Sequence, residues 1–370
     1  MGLVLFSGFS IAQAAPIAPE IAAKAYLIED VQSGQILSFR DMDQQIEPAS
    51  LTKLMTAYLT FAALKEGHLT LEQKLTVSEK GWAAEGSRMF LDPKTPATVE
   101  DIVKGMIVQS GNDACITLAE AISGSEEAFV MKMNDQAKRL GMLHTNFTNS
   151  SGLPDPKLYT TLADLAILSK AIMRDFPEYY PIYSIKSFTY NNITQPNRNL
   201  LLFRDPSVDG LKTGHTESAG YNLIASSKRN GRRVLSIVVG TKNAIERANE
   251  SSKLLNWALQ FYETPKLYSA NQVISKVTVY KGKKNELPIG FTDDVYATVP
   301  KGASKEISPV LETYQPALAP IQKGQKVGVL KVSYQGKLLY ERPVVALEAV
   351  EEAGIFGRIW DSIILWFKSF

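Results

Sequence analysis

The hydrophobic positions change period along the chain, and the changes mark its elements. Ala25-Tyr-Leu-Ile-Glu29 and Ile36-Leu-Ser-Phe39, separated by Gln32-Ser-Gly34, predict a strand, a turn and a strand. From Leu51 the apolar positions Leu51, Leu54, Met55, Tyr58, Leu59 and Ala62 follow the i, i+3, i+4, i+7, i+8 spacing of one helical face. Thr98-Val-Glu-Asp101 has the form of a capping box and starts a helix running to about Gln109. A short helix follows Asn112, another ends near Gly141, and Thr161-Leu-Ala-Asp164 starts one more. Tyr221 to Lys228 and Arg232 to Thr241 flank Asn230-Gly231, a strong hairpin signal, and Ala244 to Tyr262 then reads as a long helix. Antiparallel strands at both ends of this region with a helical block between them predict an α+β domain whose terminal elements share one sheet.

Beyond Thr264 the texture changes to short β-type pieces, such as Lys326-Val-Gly-Val-Leu-Lys-Val-Ser333 and Leu338-Leu-Tyr340 about Gly336, which predict a small all-β domain over 263–352. The last segment, 353–370, is an amphipathic helix. At 100° per residue Phe356, Ile359, Trp360, Ile363, Trp366, Phe367 and Phe370 gather on one face, and Arg358, Asp361, Ser362, Lys368 and Ser369 on the other. Leu365 alone falls on the polar side. A membrane-spanning helix needs about 20 predominantly apolar residues, so this shorter, charged segment is expected to lie in a membrane interface. At the other end, the apolar run Leu3–Ala12 followed by Ala12-Gln13-Ala14 reads as a signal peptide over 1–14, although no Lys or Arg precedes Lys24. The first domain is then 15–262.

Composition narrows the function. Of 370 residues, 45% are hydrophobic and 21% charged, which excludes a disordered or collagenous chain. Lys+Arg 40 against Asp+Glu 38 leaves a net charge of +2, without the basic excess of a nucleic-acid binder. One cysteine, Cys115, rules out an internal disulfide framework, a thiolate zinc finger or an iron–sulfur cluster. The histidines, His68, His144 and His215, form no His-x-x-x-His pair, and no metal or cofactor is expected. Cys115 reads as core, and His68 and His144 as a helix end and a loop.

The candidate chemistry begins at Pro48-Ala-Ser-Leu-Thr-Lys53. Lys53 is the only lysine with a serine three positions before it. At a helix start, residues i and i+3 share a face, bringing the Ser50 hydroxyl beside the Lys53 amine where the helix N-terminus favours developing negative charge. Taken alone, this motif is equally well a capping serine and a solvated lysine. Ser110-Gly111-Asn112 lies at a junction between helices, and Lys212-Thr213-Gly214 lies just before the hairpin, where a strand edge offers a cation, a hydroxyl and open backbone N–H groups. The ordered set of Ser-x-x-Lys, Ser-x-Asn and Lys-Thr-Gly is the signature of penicillin-recognising serine enzymes.

With these motifs the chain resembles the low-molecular-mass penicillin-binding proteins of type 5 and 6, the D-alanyl-D-alanine carboxypeptidases. The likeness extends over Glu47–Met55, Gln109–Cys115, Asn149-Ser-Ser-Gly-Leu153, Tyr159–Ala166 and Gly210–Thr216, and takes in the β-rich region and tail. It implies a transpeptidase-like α+β domain and an acyl-enzyme on Ser50, with Lys53 as base once burial and the charge of Lys212 depress its pKa. It further implies that Ser110 relays a proton to the leaving amine, Asn112 holds the substrate amide, and Lys212, Thr213 and Arg247 bind the terminal carboxylate. Gly214 leaves room for a peptide, and the backbone N–H groups of Ser50 and His215 form the oxyanion hole. Ser87 falls in a loop at the rim of the site. The implied partners are the peptidoglycan pentapeptide, β-lactams and, through the tail, the outer face of the cytoplasmic membrane, in a periplasmic enzyme compatible with a homodimer; nucleic acid is not among them. The rivals are a DD-endopeptidase, a weak β-lactamase and a non-catalytic wall-binding scaffold. Class A β-lactamases deacylate through a glutamate-held water, and 146–166 contains no Glu.

Overall fold

In a computed structural model, residues 16–368 are described; the expected 1–14 signal, Ser369 and Phe370 lie outside the described residues. One unit is built on Ala18–Leu259 and another on Gln260–Phe370. In chain order the first unit comprises β1 (Ala25–Asp30), β2 (Ile36–Arg40), α1 (Lys53–Lys65), α2 (Glu79–Trp82), α3 (Val99–Val108), α4 (Asn112–Ser123), α5 (Glu126–Leu140) and α6 (Leu162–Asp175). The hairpin β3 (Ser187–Tyr190) and β4 (Ile193–Pro196) follows, then β5 (Val208–Thr216), β6 (Gly220–Arg229), β7 (Arg232–Thr241) and α7 (Ala244–Phe261).

The main sheet has the order β2-β1-β7-β6-β5, every neighbour antiparallel. The chain therefore opens and closes this unit in one sheet, as the end-loaded strand pattern requires. Strand β1 is buried throughout. Two acidic residues sit on it, and each is paired: Asp30 with Arg232 at 2.7 Å and Glu29 with Lys170. An unpaired carboxylate at that depth would cost several kcal/mol, on the order of 3–5 when one partner is removed.

The helical block packs on this sheet through one continuous apolar core. Its densest part stacks Phe61 on Tyr179 with centroids 5.0 Å apart and sets Tyr58 edge-on to Phe176 at 4.9 Å. Each such buried aromatic or aliphatic side chain contributes about 1.5–3 kcal/mol of burial. Helix starts follow the sequence signals: Thr98 accepts the Asp101 N–H at the head of α3, and Thr161 accepts the Asp164 N–H at the head of α6. One local expectation changes. Ser50 precedes α1 on a tight 3-10 turn, Ala49–Thr52, and Ala49 has a positive φ of 48°.

The second unit holds β8 (Ser275–Tyr280), β9 (Glu286–Gly290), β10 (Ile307–Thr313), β11 (Ala317–Leu318), β12 (Lys326–Tyr334) and β13 (Lys337–Ala346), ordered β10-β12-β13-β9-β8-β11. Alternating residues Val277, Leu287, Ile289, Leu330, Val332 and Val344 fill its own core. The terminal helix α8 (Ile355–Lys368) presents its apolar stripe outward, with Phe356 90% exposed and Trp360 65%. Arg358, Asp361 and Leu365 are partly buried on the other side, where the Asp361 carboxylate accepts the Lys281 N–H and Arg358 pairs with Glu352 at 3.0 Å. That explains Leu365, the apolar residue out of phase: it shares the face turned toward this unit. No described helix is long and apolar enough to cross a membrane.

Candidate active site

The turn Ala49–Thr52 projects Ser50 into a cleft of about 480 Å³, whose walls include Ser87, Ser110, Arg198, Thr213, Gly214, His215, Tyr221 and Arg247. All three sequence motifs meet here. Lys53 begins α1, three residues beyond Ser50, and its Nζ donates to Ser50 Oγ at 3.0 Å and to the Ser151 carbonyl at 2.6 Å. Ser110, at a positive φ of 65° between α3 and α4, has its hydroxyl 2.9 Å from Lys212 Nζ. Backbone strain of this kind persists where surrounding contacts enforce it. Here they include Asp113, whose carboxylate accepts the N–H groups of Met89 at 3.0 Å and Leu91 at 3.1 Å and so ties the rim loop to the start of α4.

Asn112, beginning α4, donates its side-chain NH2 to Glu85 O at 2.6 Å and its backbone N–H to Ser87 O at 2.7 Å. Lys212, Thr213 and Gly214 lie on β5, the edge strand of the main sheet, so the unpaired side of that strand borders the cleft. A side chain at Gly214 would put its Cβ 3.0 Å from Pro48 O and 3.2 Å from Leu51 Cγ. The glycine therefore lets β5 approach the Ser50 turn, besides leaving room for a peptide.

The two lysines are both buried, at 2% and 3% exposure, and both give up protons more readily than in water. Lys53 is lowered to about 8, mainly by burial, with Arg198 adding to the fall and Cys115 and Asp113 opposing it. Lys212 is depressed well below its ordinary value by burial and then by the charge of Lys53. Burial rather than Lys212 is thus the leading cause at Lys53, a refinement of the expectation from sequence. Arg247, held down to about 10 by burial, donates toward the carbonyls of Gly214, Asn222 and Arg198. The cleft wall formed by Arg198, Arg247 and β5 is cationic and suits a carboxylate.

His215 stacks its ring on Tyr221 with centroids 3.8 Å apart and bonds through Nδ1 to Gly220 O at 3.1 Å. Cys115 is buried, its thiol pushed up to about 12 by desolvation, and donates to Gly111 O, as a core residue does. His68 and His144 are exposed on the surface.

Some participants were not singled out from the sequence. Arg198 and Tyr221 line the cleft without belonging to a recognisable motif, and the Ser151 acceptor is a backbone carbonyl that no residue type announces. The Asn149-Ser-Ser-Gly-Leu153 stretch was the available signal. Asn149 Oδ1 accepts the N–H groups of Gly152 and Leu153, and Gly152, at φ 85°, would drive a Cβ to 1.9 Å from Ala49 O.

Comparisons with known proteins agree with this geometry. The sequence pattern of the D-alanyl-D-alanine carboxypeptidase family matches residues 12–243, and that of the penicillin-binding protein 5 C-terminal domain matches residues 262–352. The chain is 41% identical over 364 residues to D-alanyl-D-alanine carboxypeptidase DacC of Escherichia coli, covering 95% of this chain and 91% of that protein. It is 42% identical over 375 residues to D-alanyl-D-alanine carboxypeptidase DacA of Haemophilus influenzae, covering 99% and 95%. Its fold is similar to the crystal structure of penicillin binding protein 5 from Haemophilus influenzae, with a TM-score of 0.86 at 42% identity over 91% of this chain and 99% of that one.

Proposed function

The chain belongs to the D-alanyl-D-alanine carboxypeptidase family, and from that premise we propose that it removes the terminal D-alanine of peptidoglycan pentapeptide stems through an acyl-enzyme on Ser50. The observation that carries this reading is the Lys53–Ser50 contact of 3.0 Å beside the Lys212–Ser110 contact of 2.9 Å in one cleft. Neutral Lys53 takes the Ser50 proton, and Oγ attacks the carbonyl carbon of the penultimate D-alanine. The developing oxyanion meets the backbone N–H groups of Ser50 and His215, donors of a kind whose loss costs about 2.7–4 kcal/mol of barrier. As the intermediate collapses, the C–N bond breaks and Ser110 relays to the departing amine the proton that Lys53 took from Ser50, which leaves Lys53 neutral again. Water then cleaves the ester and restores Ser50.

Substrate selection follows from charge. Lys212 and Arg247, with Thr213, receive the terminal carboxylate; the incoming anion supplies the counter-charge that makes protonated Lys212 favourable. Asn112, its NH2 already engaged by Glu85, contributes its side-chain oxygen to the substrate amide. A β-lactam places its own carboxylate and carbonyl at the same groups and acylates Ser50, and with no Glu in 146–166 to hold a hydrolytic water it leaves slowly. Intact-mass analysis after penicillin, with D-alanine release from a pentapeptide followed in parallel, tests both halves of this reading.

The organisation proposed around this chemistry is a catalytic domain over 15–262, an all-β domain over 263–352 acting as a stalk, and an interfacial helix over 353–370. The exposed apolar stripe of α8 supports attachment to the outer face of the cytoplasmic membrane in the periplasm.

A further inference from the structure

The Ser151 carbonyl that receives Lys53 is itself held from behind, by a route that begins outside the cleft. Ser150 is fully buried, and both its N–H, at 2.9 Å, and its hydroxyl, at 2.6 Å, donate to Oε1 of Glu126 in the first turn of α5. Glu126 Oε2 in turn pairs with Lys80 of α2 at 3.0 Å. The Ser150 carbonyl faces the other way and accepts the Thr56 hydroxyl of α1 at 2.6 Å. The segment bearing the Ser151 acceptor is thus tied at Ser150 to α5 on one side and α1 on the other. Gly152, pressed against Ala49 O, fixes its far end on the Ser50 turn.

We propose that Glu126 is a positioning residue for the acylation step: through Ser150 it fixes the Ser151 carbonyl, and that carbonyl fixes the Lys53 amine against Ser50. The inference rests on the reading of Lys53 as the base. Glu126 is 8% exposed and lines no part of the cleft, so it touches neither substrate nor the reacting atoms. Burial opposes its charge, yet the two Ser150 bonds and Lys80 outweigh burial and hold the carboxyl below its ordinary range. It is therefore a carboxylate at neutral pH. A capping role at α5 is already filled by Ser125, which accepts the Ala128 N–H at 3.1 Å, leaving the Ser150 tether as the distinctive task of Glu126.

The tether has an electrostatic consequence. A carbonyl 2.6 Å from Lys53 Nζ stabilises the ammonium form. The other charged or titratable groups facing Lys53 are Asp113 and Cys115 from α4, Arg198 from the cleft wall and Lys212 from β5; those facing Glu126 are Lys80 and Ser150's donors. Glu126→Gln leaves Asp113, Arg198 and Lys212 in place, and the charge it removes is one that raises Lys80 and Cys115. Loosening the carbonyl and removing the negative charge both disfavour the ammonium, so the amine loses its proton at lower pH while being less well placed.

The test is the pH dependence of penicillin acylation, with thermal unfolding as the control, in the full chain, Lys53→Ala, Glu126→Gln and Ser150→Ala. Glu126→Gln is expected to lower the high-pH acylation rate about tenfold, the scale of a small misplacement of a reacting group. Its acid limb should also move to lower pH by about half a unit. Ser150→Ala, which keeps the backbone donor, should shift both in the same direction by less. An unmoved acid limb in a folded Glu126→Gln protein, whether or not the rate falls, overturns the proposal. Should that variant not fold, an unmoved limb in Ser150→Ala does the same. Retained acylation in Lys53→Ala is a different failure, because it removes Lys53 as the base and the proposal with it.

Discussion

Lys212 donates to the hydroxyl of Ser110 across 2.9 Å, joining the edge strand β5 to the α3–α4 junction through a fully buried contact. The bond brings a cation and a hydroxyl into the cleft that holds Ser50, where the charge of Lys53 in turn disfavours that of Lys212.

Replacing Lys212 by Ala should therefore depress acylation severely, by about 100-fold or more, because both the carboxylate partner and the Ser110 contact go together. The fold should survive, since a buried cation without a carboxylate partner is itself costly. Acylation rates by stopped-flow and a thermal melt check the two halves; near-normal acylation would take Lys212 out of the mechanism.

Ser50 should carry the acyl group. Peptide mapping of the penicillin adduct is expected to find the added mass on Ser50, and Ser50→Ala should lose pentapeptide turnover by on the order of 10⁴-fold or more, as removal of an activated nucleophile does. Mass on another residue would overturn the assignment.

Lys53 gives a pH prediction with two signs. As base it must be neutral, so acylation should rise as pH passes upward through about 8. For stability, the folded value lies below the ordinary 10.5, so between about 8 and 10.5 the unfolded chain holds more protons and unfolding free energy rises with pH. Below about 8 both states are charged and the burial cost is fully present. Lys53→Met should lessen that slope, leaving the share due to Lys212, melt no lower than the parent at neutral pH, and be inactive. A lower melting temperature there would show that the ammonium is net stabilising.

Much of this architecture was legible in the chain, and the parts that were not share a cause. Asn230-Gly231 announced the β6–β7 hairpin because that turn needs positive φ at both positions, and they adopt 50° and 79°. The β3–β4 hairpin carries the same kind of signal in Asn191-Asn192, at 47° and 60°, but its short flanking strands gave little alternation to set it off. Ser50, Lys53, Ser110, Asn112 and Lys212 were visible because the chemistry proposed for them needs those side chains at those spacings. Ser151 acts through its carbonyl, which every residue has, and Glu126 reads in the sequence as an ordinary acidic residue in the first turn of α5. Only the folded chain brings it to Ser150.

The all-β unit should be dispensable for chemistry. The contact-defined division falls between Leu259 and Gln260, and each unit has its own apolar core. A chain ending at Tyr262 should keep penicillin acylation within about threefold of the parent, with a cooperative melt. A molten or inactive product would show that the units fold as one.

Deleting residues 353–370 should release a catalytically competent protein from membranes. The helix carries Ile355, Phe356, Ile359, Trp360, Ile363, Trp366 and Phe367 exposed together, and a contiguous exposed apolar face marks a membrane or partner contact. Its aromatics suit the depth of a headgroup boundary, and the Asp361–Lys281 contact keeps the polar side turned inward. Membrane sedimentation with vesicles of defined composition separates the possibilities. Loss of sedimentation on deletion with unchanged acylation assigns the anchor to α8. A truncated protein that still sediments places the anchor elsewhere. Introducing Asp at Phe356 and Trp360 together provides the finer test: it keeps the length of the helix while placing charge on the stripe, and it should abolish sedimentation as completely as the deletion does, because a carboxylate at hydrocarbon depth costs several kcal/mol.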